Sequence, residues 1–226
     1  LLSIDATPDW RGAHPGAIIG LLELSGVDRG HPSPRLDERK REIEVRVREQ
    51  YRGFARKDFL ALPVMAAYAR YYKRFDKTYH VLQQLESIAL KGKGLPRVSP
   101  LVDANFMAEV ETLVLTAGHD ADKLHEGVSI DVSRGGDQFT QMGGASRPLL
   151  PGDMIMRDAA GISCSIIYGQ DNRSPIAADT SHVLYVAYAP PGVPADAVEA
   201  HLRAVEENVR LVSPATVREQ HRLLVA

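Results

Sequence analysis

Residues 99–113 read SPLVDANFMAEVETL, an apolar run interrupted by Asp103 and Asn105. The run predicts a buried helix, extending over 99–117, and the character of the chain changes on either side of it. Two readings of the polar pair are open. Asp103 caps the helix while Asn105 bonds locally, or the two side chains line a pocket.

Upstream, AIIGLLEL (17–24) is a short apolar run ending at Ser25-Gly26, which predicts a buried strand. His14-Pro15-Gly16 before it is a turn, and DRGHPSPR (28–35) an exposed loop. Helices are predicted over 36–51, where Ile43, Val47 and Tyr51 recur every fourth residue, over 64–75 after Pro63, and over 78–94, with Thr78 as N-cap and Gly92 and Gly94 as the stop. Downstream come short candidate strands at 127–132, 153–158, 161–167 and 181–189, with Asp158-Ala-Ala-Gly161 as a hairpin turn. A last amphipathic helix covers 194–209. Helices, then strands, then a helix, without regular alternation, predict an α+β fold: a mixed or antiparallel sheet with helices packed on it. We expect a single domain over 1–226, mainly helical in its first lobe (1–98) and strand-rich in its second (99–226).

A hydrophobic fraction of 44% and a charged fraction of 25% belong to an ordinary globular chain rather than a disordered or membrane one. No apolar run reaches the roughly 18 residues that cross a bilayer. Cys164 is the only cysteine, so an intrachain disulfide is excluded. It lies in an apolar run, which predicts a buried structural thiol. No basic-then-apolar leader opens the sequence, and a cytoplasmic location is expected. Residues 1–100 carry 18 basic and 12 acidic side chains (+6), residues 101–226 carry 9 and 17 (−8). A basic half can meet phosphates, or it can be ordinary solvated surface.

Motif chemistry is mostly absent. GGDQF (135–139) and MGGAS (142–146) lack the lysine and spacing of a phosphate loop. No serine occupies a Gly-x-Ser-x-Gly elbow. The histidines are scattered without metal-ligand spacing, His119-Asp120-Ala121-Asp122 being the nearest approach to a cluster. Neither metal nor cofactor is expected.

Several segments, in order, resemble one family. LKGKGLPRVSPLVDANFMAEVETL (90–113) is similar to the Val-Asp-x-x-Asn-Tyr stretch in the B3/B4 domain of the phenylalanyl-tRNA synthetase beta subunit, with Asn105 one residue closer to Asp103. GHDADKL (118–124) resembles the family's Gly-x-x-x-His-x-x-Asp-x-x-Lys-Leu segment in shortened form. Residues 151–189 resemble its hairpin, polar tip and returning Thr-x-x-Val-x-Leu strand. The close spacing of Asp103 and Asn105, His-Pro-Gly at 14–16 and Lys-Gly-x-Gly-Leu-Pro at 91–96 are as in free-standing members.

In the synthetase this domain is the editing module, hydrolysing the ester of mischarged tRNA. The resemblance therefore implies hydrolysis of mischarged aminoacyl-tRNA in trans, or non-catalytic binding of tRNA, an amino acid or a related small molecule. It implies tRNA as partner, and neither DNA nor membrane. It places Asn105 and His119 at the catalytic positions, and Asp103, Asp120, Gln170, Asn172, Arg173 and Thr180 among substrate-binding ones. Asn172 and Arg173 stand where the synthetase carries glycines and an acid, a departure that bears on selectivity. Arg70, Lys73 and Arg74, interleaved with Tyr71, Tyr72 and Phe75, are the candidate RNA contacts. The same spacing also fits tyrosines buried in a core.

Overall fold

The apolar run at 17–24 forms a strand because it is flanked by strands and covered by helices, so no face of it meets water. In the computed structural model, which describes residues 1–28 and 33–226, the strands are β1 (Asp5–Ala6), β2 (Ile18–Ser25), β3 (Thr116–Asp120), β4 (Ser129–Val132), β5 (Gln138–Thr140), β6 (Ser146–Pro148), β7 (Met154–Asp158), β8 (Gly161–Ser165), β9 (Gly169–Gln170), β10 (His182–Ala189) and β11 (Val217–Val225). The helices are α1 (Pro8–Ala13), α2 (Pro34–Gln50), α3 (Arg56–Leu60), α4 (Pro63–Lys73), α5 (His80–Ala89), α6 (Pro100–Thr112) and α7 (Ala195–Arg210). The loop expected over 28–35 falls largely on residues 29–32, outside the described ones.

Two sheets carry the architecture. One is antiparallel, in the order β11-β2-β10-β3. The other has the order β1-β4-β7-β8-β9, antiparallel except for the parallel β1–β4 pair. β5 and β6 form a small separate hairpin. The fold is α+β with mixed and antiparallel sheets, as the order of elements predicted. Helix α7 lies close on β2 at Gly20, where a Cβ would stand 2.7 Å from Val198 Cγ1 and 3.1 Å from Leu202 Cδ1.

Helix α4 fastens the two sheets together through tyrosine hydroxyls. Tyr68 donates to Tyr188 O (2.7 Å) and accepts from Leu115 N (2.9 Å), on the first sheet's side. Tyr71 donates to Asp153 Oδ1 (2.7 Å) and Tyr72 to Ile166 O (2.8 Å), on the second's. Tyr71, Tyr72 and Phe75 are all buried. Of the two readings of the aromatics on and just after α4, the core one describes them: Tyr71, Tyr72 and Phe75 are buried and not available to stack on bases.

The predicted 99–117 helix stops at Thr112. Leu113 takes a left-handed conformation (φ 66°) that ends it, and the chain re-enters a sheet as β3. Hydrogen bonds from Tyr188 N to Leu115 O (3.0 Å) and from Leu115 N to the Tyr68 hydroxyl (2.9 Å) hold residues 114–116 outside the helix. Helix α2 starts at Pro34, capped by Ser33, whose Oγ accepts from Leu36 N at 3.3 Å. Helix α5 is shorter than the predicted 78–94, and Thr78 is not its cap. Strands β1, β3, β5, β6, β9 and β11 and helices α1 and α3 add to the predicted set. Most are too short for periodicity to register, and β11 is a largely polar edge strand. Among the described residues no helix is long and apolar enough to cross a membrane.

Candidate functional site

A cavity of about 400 Å³ lies where α6, β3, β8 and the segment around β9 meet. Its wall is mainly apolar: Val102, Phe106, Leu115, Ile166 and Ile176 contribute, with backbone at Gly118 and Gly169. The polar side chains in the lining are His80, Asn105, Thr116, Ser165, Gln170, Cys164 and Tyr188. No Asp, Glu, Lys or Arg is among the lining residues.

Asn105 reaches this wall because the apolar face of α6 packs on β3. Its Nδ2 donates to Thr116 O (3.3 Å), and one turn later Glu109 Oε1 accepts from Thr116 N (2.9 Å). The helix thus supplies both hydrogen bonds that Thr116 would otherwise exchange with another strand. Asn105 Oδ1 is buried without a partner, and a buried amide oxygen left unpaired is costly. Glu109, fully enclosed, has its pKa pushed up to about 8 by burial, so it is a neutral acid at pH 7.

Gln170 stands on the cavity wall with Asn105. Its Nε2 donates to Ser174 O (2.8 Å) and Gly118 O (2.5 Å), which ties β9 to β3. His119 sits behind it, fully buried and outside the lining. Its Nδ1 lies 2.8 Å from Ser174 Oγ and 3.2 Å from Gln170 Nε2, and its Nε2 has no partner. Burial, and then the nearby Arg173 charge, lower its pKa to about 3, so the ring is neutral.

The other sequence candidates take separate positions. The Asp103 carboxylate pairs with buried Lys40 and accepts from Val98 N (2.9 Å), while Lys40 also donates to Pro96 O (3.1 Å). This pair anchors the chain entering α6 and lies outside the cavity lining. Asp120 accepts from Asp122 N (3.2 Å) and from Thr180 Oγ1 (2.8 Å) and pairs with Lys123 (3.0 Å). Asn172 is exposed, and Arg173 is held by Asp158 (3.1 Å) and Asp171 (2.7 Å). Arg70 and Lys73 on α4, and Arg74 immediately after it, are exposed. The Arg74 guanidinium lies 5.3 Å from the Tyr71 ring centroid and 5.4 Å from that of Phe75, and it donates to Gly152 O (3.2 Å). Of the named residues, the cavity brings together Asn105 and Gln170. His119 and Arg173 stand behind them, in a network with Ser174, Asp171 and Asp158.

Sequence reasoning gave no cavity role to Cys164, Ser165, Thr116 or Tyr188, which look like ordinary strand residues. Burial pushes the Cys164 thiol up to about 12, so it is neither ionised nor nucleophilic at neutral pH. Ser165 Oγ is committed to Asp153. The Tyr188 hydroxyl reaches no nitrogen or oxygen partner, and the Cys164 thiol is the polar group beside it. The lining therefore offers neutral donors and acceptors that can hold a carbonyl or a water, but no activated side-chain nucleophile. Among the described residues no group of three or more His, Cys, Asp and Glu is placed to hold a metal ion.

A family model described as the B3/4 domain matches residues 64–224. Among solved structures, an N-terminal fragment of the phenylalanyl-tRNA synthetase beta-subunit from Pyrococcus horikoshii aligns with a TM-score of 0.47 at 8% identity. That alignment covers 97% of this chain and 54% of that one, so the chain spans about half the length of that structure. A search of curated proteins returned no match.

Proposed function

The chain belongs to the B3/4 domain family, and on that premise we propose that its cavity takes the aminoacyl end of a mischarged tRNA and hydrolyses the ester. The observation that carries this is an uncharged cavity wall in which the Asn105 carbonyl oxygen is buried and unpaired. A free amino acid would bring a carboxylate into a wall with no cation to meet it, at a large desolvation cost. In an aminoacyl ester that carboxylate is already masked. The ester carbonyl can then be held by neutral groups while a positioned water attacks it.

In this scheme the free Asn105 oxygen accepts from the attacking water or from the ligand's α-amino group, its Nδ2 being engaged with Thr116 O, and Gln170 shapes the wall beside it. His119 is a positioning residue that acts through Gln170 and Ser174. Asp103 and Lys40 hold the approach to α6. Asp120 with Thr180, and Asp158 with Arg173, brace the segment between β9 and β10. The exposed cations Arg70, Lys73 and Arg74 meet tRNA phosphates, a contribution that weakens as salt rises. The location that fits is the cytoplasm.

The test is release of amino acid from a panel of correctly and incorrectly charged tRNAs. We expect release above the buffer rate for at least one mischarged species, and a fall of at least about tenfold with Asn105→Ala, the scale of one lost transition-state contact. No release for any member rejects hydrolysis. A second reading, binding without turnover, is favoured by the absence of a carboxylate general base from the lining. Calorimetric binding of a charged tRNA that is never hydrolysed selects it.

A further inference from the structure

The cavity wall carries no carboxylate, yet one stands a single hydroxyl behind it. Ser165, at the end of β8, is a lining residue. Its Oγ donates to Asp153 Oδ2 and accepts from Tyr168 N (3.1 Å). A serine oxygen has two lone pairs, so one remains free to accept a further hydrogen bond. Asp153, just before β7, is 1% exposed. Its Oδ1 accepts from the Tyr71 hydroxyl (2.7 Å), and its N–H donates to Ser133 Oγ (2.8 Å), so the residue is held at both ends. Fastening α4 to the second sheet does not require an acid: Tyr72 does the same on a backbone carbonyl, Ile166 O (2.8 Å). A carboxylate in the interior is costly unless donors surround it, and the side-chain donor on Oδ2 is the hydroxyl of a cavity residue.

We propose, resting on the ester reading above, that Ser165 and Asp153 form the proton relay of the hydrolysis, Ser165 Oγ taking a proton from the attacking water as its own proton passes to Asp153 Oδ2. The water oxygen bonds to the ester carbonyl carbon in the same step. When the bond from that carbon to the ribose oxygen breaks, the proton returns through Ser165 to the departing oxygen. The acid formed releases its proton to solvent, and Ser165 and Asp153 end as they began. Burial raises the Asp153 pKa to about 6, with the bonds from Ser165 and Tyr71 acting the other way. The group is thus mostly ionised at pH 7 and still basic enough to take a proton. Titratable groups facing it are Tyr71 and Tyr72 from α4, Cys164 from β8 and Tyr188 from β10, all pushed up by burial and neutral at pH 7. Arg74, 5.3 Å from the Tyr71 ring centroid, donates to Gly152 O.

The experiment follows two reactions of the full chain across a pH series on either side of pH 6, with the buffer rate subtracted: release of amino acid from the panel of charged tRNAs, and cleavage of the 4-nitrophenyl esters of phenylalanine, leucine and alanine, which carry no RNA. Asp153→Asn, Ser165→Ala and Tyr71→Phe are compared with the wild type, and thermal melting checks that each is folded. Wild-type kcat should rise with pH, reach half its maximum near the Asp153 pKa of about 6, and level off above it. Asp153→Asn and Ser165→Ala should each lower kcat about hundredfold with KM little changed, abolish the rise, and cost no more together than singly. Tyr71→Phe takes a donor from the carboxylate and should move the rise to higher pH, so the test holds even where Asp153→Asn fails to fold. A role in packing alone moves none of these profiles. Hydrolysis insensitive to both replacements, a rise unmoved by Tyr71→Phe, or an acyl group found on Ser165 by mass spectrometry overturns the relay and leaves the hydrolase standing. Cleavage of the aryl esters that depends on both residues, without release from any charged tRNA, keeps the relay and rejects tRNA as the substrate. No cleavage of either kind overturns both.

Discussion

Replacing Glu109 by Gln isolates the cost of one buried acid. Glu109 is 1% exposed, accepts from Thr116 N at 2.9 Å through Oε1, and leaves Oε2 without a partner. Its pKa is raised from 4.5 to about 8 in the fold, with burial as the main cause. Between those two values the folded chain holds a proton that the unfolded chain has released, so stability falls as pH rises and levels off above about 8. Each pH unit inside that window costs about 1.4 kcal/mol, and the wild type should lose about 2.5 kcal/mol through this group between pH 6 and pH 8. Gln keeps the acceptor for Thr116 and is neutral throughout, so its stability is free of this component. Urea unfolding of both proteins at pH 6, 7 and 8 gives the difference directly, and titrations elsewhere in the chain cancel. The variant should gain on the wild type by about 2.5 kcal/mol across that range. A difference independent of pH, or one that shrinks as pH rises, would refute a neutral Glu109.

Lys40→Met strands the Asp103 carboxylate in the interior and should cost about 3–5 kcal/mol by urea unfolding; Lys40→Met with Asp103→Leu should recover much of it. Tyr72→Phe removes the bond to Ile166 O (2.8 Å) and should lower stability by about 1 kcal/mol. A differential scanning experiment that shows no fall in Tm would argue against that bond. His14, His119 and His201 are buried, with pKa values lowered to about 4, 3 and 3, chiefly by desolvation. The unfolded chain takes up their protons first as pH drops below 6.5, so stability should decline from there towards pH 4. His201→Gln should flatten that acid limb in a pH series of urea unfolding curves.

The parts of the fold legible in the sequence were those with enough length to show a pattern. AIIGLLEL and SHVLYVAYA became neighbouring strands, β2 and β10. The helices at 36–51 and 194–209 differ from α2 and α7 by one or two residues at each end. The end of α6 was hidden because Leu113 and Val114 continue its apolar run, and only a left-handed residue and a tyrosine hydroxyl from α4 break it. At the site, Asn105 stood out as an amide in an apolar run, and Gln170 as part of a polar stretch between strands. Cys164 and Tyr188 could not be distinguished from core residues, since their strands are apolar throughout. The partner of Asp103 lies 63 residues earlier, a distance no local pattern spans.

Helix α4 also governs how wide the cavity can be. Tyr68 grips Leu115 and Tyr188, and Tyr72 grips Ile166, all three of them lining residues. Moving any of these residues away from α4 breaks a buried hydrogen bond to a tyrosine hydroxyl. The cavity's span thus depends on the hydroxyls of Tyr68 and Tyr72, neither of which belongs to its lining.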